Sequence, residues 1–88
     1  MNYHKNPSVV YTELEKGAIL LDLDTKYYYN LNETGVRIWQ LIDDAKDASE
    51  VAEKLSREFE VDSMKALASV QRLLEDLEKN RLIVRQSG

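Results

Sequence analysis

The 88-residue chain has no cysteine, one histidine and one proline, and its three glycines stand far apart. Without cysteine there is no disulfide framework and no thiolate to act as nucleophile or ligand. His4 is the lone imidazole, so the common Cys/His zinc sites are excluded. Gly17, Gly35 and Gly88 are isolated, which leaves no glycine-rich loop to cradle phosphate. No apolar run nears the roughly 20 residues that span a bilayer, and residues 1–7 lack the apolar stretch of a secretory signal. These absences imply a soluble, cytoplasmic, single-domain protein close to the lower size limit for a self-sufficient core. No metal or cofactor is expected.

Charge of one sign is also scarce. The net charge is −4 with acids and bases interspersed, and no basic stripe is present to displace counterions from phosphates. Neither nucleic acid nor membrane is an expected partner.

What is present falls into two blocks, strands before helices, which argues α+β. Residues 1–8 are polar, hold the proline and read as a mobile tail; residues 9–85 read as the domain. Val9 to Glu15, Ala18 to Leu23 and Tyr27 to Leu31 are short strand-favouring runs. Lys16-Gly17 supplies the first turn, glycine accepting positive φ, and Asp24-Thr25-Lys26 the second. Two short turns in succession predict a three-stranded antiparallel meander. Asn32 then caps a helix ending near Asp44, with Ile38, Trp39, Leu41 and Ile42 as its apolar stripe. Asp47 and Glu50 have capping-box spacing, and Val51, Ala52, Leu55 and Phe59 continue as a second helix. Asp62 caps a third, from about Ser63 to Lys79, with Leu67, Val70, Leu74 and Leu77 as its core stripe. Asn80, in a left-handed conformation, ends that helix, and Leu82 to Val84 is extended.

Catalytic constellations find little support. His4 and Ser8 are close only in the tail. Asp22 and Asp24 read as turn residues bonding backbone rather than as a carboxylate pair. Glu75, Asp76 and Glu78 read as a solvated helix face.

Tyr27, Tyr28 and Tyr29 are more informative. Alternation puts Tyr27, Tyr29 and Leu31 on one face of the third strand and Tyr28 and Asn30 on the other. One account packs the first set on the helices and leaves Tyr28 half exposed. The other makes the strand an edge whose free backbone groups pair with an incoming extended peptide. Charge, proline and bulges normally blunt such an edge, and Tyr27 to Leu31 carries none of the charged or proline residues. Beside the core stripe of the third helix runs a flank of Ala66, Ser69, Leu73, Asp76 and Asn80. Its small residues admit a close neighbour, Leu73 adds an apolar contact, and Arg72 and Asp76 can select charge. It also fits an ordinary amphipathic boundary.

The stretch from Leu21 to Trp39, with Asp24-Thr25-Lys26-Tyr27-Tyr28-Tyr29-Asn30-Leu31-Asn32-Glu33-Thr34-Gly35 at its centre, resembles the PqqD-like family. The family is named for a pyrroloquinoline-quinone biosynthesis protein, and its members are recognition elements for ribosomally made, modified peptides. The resemblance continues through Val61-Asp62 and Leu77 to Ile83, covering about Val9 to Val84. Arg81 departs from it, standing where glycine is frequent. The tyrosine-rich strand resembles the lasso-peptide and stand-alone branches more than the quinone-cofactor branch. What the resemblance implies is a three-stranded sheet followed by three helices, winged-helix-like. It also implies a leader peptide added as a strand along Tyr27, Tyr28, Tyr29, Asn30 and Leu31, beside Ser69, Arg72, Leu73 and Asp76. The expected function is a non-catalytic adaptor. It binds a precursor leader peptide and serves a partner enzyme, whether leader peptidase, cyclase or radical enzyme. The alternatives are a winged-helix DNA-binding regulator and a domain that only assembles with an enzyme.

Overall fold

A computed structural model describes residues 2–43 and 47–86. Along the chain run β1 (Asn2–Lys5), β2 (Val9–Leu14), β3 (Gly17–Asp22), β4 (Tyr28–Asn32), α1 (Glu33–Ile42), α2 (Ala48–Phe59), α3 (Ser63–Lys79) and β5 (Ile83–Gln86). Strands β2, β3 and β4 form the expected antiparallel meander in that spatial order. Its register runs Val9↔Asp22 to Leu14↔Gly17 and Gly17↔Asn32 to Leu21↔Tyr28. The α+β expectation of a three-stranded sheet followed by three helices holds.

Local chemistry explains where each helix begins. Asn32 Oδ1 accepts from the Gly35 amide at 2.8 Å, Asp47 Oδ1 from Glu50 at 2.9 Å and Asp62 Oδ1 from Met64 at 2.8 Å. Each cap satisfies an amide that has no intrahelical partner, a contribution of about 1 kcal/mol. The helices then bury Ile38, Trp39, Leu41 and Ile42 from α1, Val51, Ala52 and Leu55 from α2, and Ala66, Val70, Leu74 and Leu77 from α3. These meet Ala18, Leu20 and Leu31 of the sheet in one core. The stripe of α3 thus includes Ala66, expected on the flank, while Leu67 is only half-buried and Phe59 of α2 is exposed. The expected end of α1 near Asp44 lies outside the described residues; α1 closes at Ile42, with Asp43 as its C-cap.

Three local expectations are corrected. Asn2–Lys5, expected within a mobile tail, form β1, which pairs antiparallel with β5, Tyr3 opposite Arg85 and Lys5 opposite Ile83. The reason is tertiary. Tyr3 packs against the core, and Lys5 lies 4.6 Å over the Trp39 ring and 2.7 Å from Asp43. Asn6 then ties this ribbon to the end of α3, its side chain donating to the Arg81 carbonyl at 2.9 Å.

Gly17 has no positive φ. It is needed for space instead, because a Cβ there would meet the Leu31 carbonyl oxygen at 2.2 Å. Asn80 stays right-handed at φ −94°, and Arg81 takes the left-handed turn at φ 61°. Arg81 N donates to Glu78 O and Leu82 N to Leu77 O, the paired bonds of a Schellman motif. Burial of Leu77 and Leu82 against the core offsets the cost of a side chain at that φ.

Candidate functional site

The β3–β4 turn is held by one buried carboxylate. Asp22 Oδ1 accepts from the Asp24 amide at 2.9 Å, and the Lys26 amide donates to Asp22 O at 2.7 Å. Ser8 Oγ donates to Asp24 at 2.7 Å, so these aspartates and Ser8 are structural. His4, paired opposite Val84 in β1, belongs to the ribbon.

The turn delivers β4 to the border of the sheet. Strand β3 pairs with one side of β4, and among the described residues no strand pairs with the other. That free side runs along a groove of about 340 Å³ between β4, the start of α1 and α3. Buried Leu31, Gly35 and Ile38 contribute its apolar base. Ser69, Arg72, Leu73 and Asp76 line it from α3, and Tyr29, Asn30 and Asn32 from the strand. Thr34 and Ser69 also border a second hollow of about 280 Å³ with Leu55, Phe59, Val61, Lys65 and Ala66. The two hollows share a border and lead from the strand toward the α2–α3 junction.

Tyr29 is the link across the groove. Its hydroxyl donates to Asp76 Oδ2 at 3.2 Å. Burial first, and then the Asp76 carboxylate, push its pKa up to about 12, so the phenol stays a donor throughout the physiological range. The bond spans 47 residues of sequence and links β4 to α3.

Of the residues named from sequence, Tyr29, Asn30, Leu31, Ser69, Arg72, Leu73 and Asp76 come together around this groove. Tyr27 and Tyr28 do not line it. Tyr27 precedes β4 and its carbonyl closes the turn to Asp22 N. Tyr28 is 63% exposed, opposite Leu21 on the sheet face away from the helices. Asn32, Thr34, Gly35 and Ile38 were missed. Asn32 carries the sequence signature of a cap, and capping is what brings the first turn of α1 to the mouth of the groove. Thr34 and Ile38 are one helical turn apart, a spacing that could have flagged a shared face.

The family model for coenzyme PQQ synthesis protein D (PqqD) matches residues 17–83. The chain belongs to the PqqD family. Two solved structures share the fold over almost the whole chain. One is TbiB1 in complex with the TbiA(beta) leader peptide, 25% identical with a TM-score of 0.83, covering 97% of this chain and 99% of that one. The other is lasso peptide synthetase B1 complexed with the leader peptide, 26% identical with a TM-score of 0.85, covering 97% and 100%. No curated protein sequence matches the chain. The second of these structures carries the lasso-peptide name, in keeping with the branch that the tyrosine-rich strand resembles.

Proposed function

We propose that this PqqD-family protein is a non-catalytic adaptor that takes the leader segment of a ribosomally made precursor as an added strand on β4. The observation that carries this reading is an unpaired strand border lying along a groove walled by α3. It occurs in a fold shared with two proteins solved with leader peptides. Five residues of β4 offer roughly 16 Å of backbone at about 3.3 Å each, enough to fix the register of an extended peptide. Among the described residues no histidine or lysine lines the groove, and the carboxylate there, Asp76, is already taken up by the Tyr29 hydroxyl, which favours holding over chemistry. Presenting the tethered core peptide to a leader peptidase, cyclase or radical enzyme raises its effective concentration there.

The DNA-binding alternative lacks an electrostatic footing. On α3, Lys65, Arg72 and Lys79 are matched in number by Glu75, Asp76 and Glu78, leaving no net charge for phosphates. A low-salt gel shift is expected to show no retardation.

The test of the adaptor reading is fluorescence anisotropy with a labelled peptide covering the leader of a precursor encoded beside this chain. Leu73→Glu should weaken binding at least about fiftyfold, by placing a charge on the apolar wall. The circular-dichroism melt of that variant should remain cooperative. Unchanged affinity in the folded variant would remove the groove from consideration. Capture of an enzyme without any leader affinity would favour the assembly-only domain.

A further inference from the structure

Among the described residues, two charged side chains line the groove, Arg72 and Asp76. Asp76 is engaged by the Tyr29 hydroxyl. It stands four residues after Arg72, a spacing at which opposite charges on a helix ordinarily meet. Arg72 nevertheless makes no ion pair or hydrogen bond among the described residues. Elsewhere, Arg37 pairs with Glu58, Arg57 with Glu53 and Arg85 with Glu78. A guanidinium is a planar fork of donors that fits a carboxylate with two parallel bonds. Here the fork borders an apolar base of Leu31, Ile38 and Leu73, where displaced water makes a charge pair stronger than on open surface. Lys65 lies two helical turns earlier on the same face, roughly 10 Å along the axis, at the adjoining hollow. It too is left without a partner among the described residues.

We propose that the peptide this groove accepts carries an aspartate or glutamate that pairs with Arg72, and that Arg72 is the residue that selects it. The inference rests on the adaptor reading and sharpens it. Side chains of an added strand alternate in direction. The acidic residue therefore shares its direction with the apolar residue seated on Leu31 and Leu73, and sits two positions from it. Arg72 is exposed and makes no hydrogen bond or ion pair among the described residues, so its replacement leaves the melting temperature in place.

The experiment is an mRNA-display selection with random peptides of about 12 residues, long enough to run past β4 at roughly 3.3 Å per residue. The library is panned in parallel on the full chain, on Arg72→Glu and on Leu73→Glu. Binders of the unaltered chain that are lost on Leu73→Glu should carry Asp or Glu two positions from an apolar residue. The same position should turn to Lys or Arg on Arg72→Glu. A single selected peptide should bind Arg72→Glu about tenfold more weakly by anisotropy, and its Glu→Lys version should recover that loss. Groove-dependent binders with no acidic position, or the same preference on Arg72→Glu, overturn the role of Arg72 while leaving leader binding intact. Failure of the adaptor reading looks different: no enriched peptide depends on Leu73, and the Arg72 proposal falls with it.

Discussion

Strand β3 has a neighbour on each side, and the two outer strands differ in what stands beyond them. Tyr11 on β2 and Tyr29 on β4 both lie opposite Leu20, and both pack on the core. The Tyr29 hydroxyl reaches Asp76 on α3. The Tyr11 hydroxyl is buried and finds no partner among the described residues. Strand β2 is exposed over its last three residues and carries Glu13, the kind of charge that discourages edge pairing. Strand β4 has no charged residue and has a helix beside it. Free backbone groups exist on both borders. A border becomes a binding site when a second wall excludes water from those groups and offers pockets to alternate side chains.

That asymmetry is most directly broken by amide hydrogen exchange with and without bound leader peptide. Amides on the free side of β4 should slow by roughly a hundredfold or more as they gain partners, and those of β2 should not change. Protection appearing on β2 would move the site to the other border.

The alignment of β4 depends on a residue of its neighbour. Gly17 faces Asn32 across the pair, and an added Cβ would meet the Leu31 carbonyl oxygen at 2.2 Å. Since that atom is backbone, the strands must separate. Gly17→Ala is expected to cost about 2 kcal/mol, a fall of roughly 10 °C in Tm. It should also weaken leader binding, because β4 shifts against α3. Loss of stability with full affinity would show that the groove tolerates a displaced strand.

Legibility in the sequence followed range. The meander, the three caps and the border position of β4 were readable because each rests on neighbours: alternation from Val9 to Leu31, and Asn32, Asp47 and Asp62 just ahead of apolar periods. Strand β1 was not, since Asn2–Lys5 has little strand propensity and its partner lies some 80 residues away at Ile83–Gln86. The glycine at 17 was visible, but a close approach between strands leaves no local mark to separate it from a turn. Arg81 in the left-handed region overrides propensity because Leu82 must enter the core. In the groove, the α3 flank showed its spacing, whereas the contribution of Thr34, Gly35 and Ile38 depends on where α1 lands.

The smallest expected effects come from the two tyrosines themselves, and they carry opposite signs. Tyr29→Phe removes a hydrogen bond to a carboxylate and should cost up to about 1 kcal/mol at neutral pH. Tyr11→Phe removes a buried hydroxyl that has no partner among the described residues, so stability should stay level or rise by a few tenths to about 1 kcal/mol. At high pH the two converge. The Tyr29 pKa is raised to about 12 by burial and then by Asp76, and that of Tyr11 is raised by burial and then by Glu13. An unfolded tyrosine titrates near 10. Below that pH both states hold the proton and stability is level. Above about 10 the unfolded chain releases protons that the native state retains, so stability falls as pH rises, for Tyr29 up to its native value of about 12. Each Phe variant should flatten that fall in chemical denaturation series across the window. If both variants instead lose stability at neutral pH, the Tyr11 hydroxyl is satisfied after all, and the difference between the two borders lies in α3 alone.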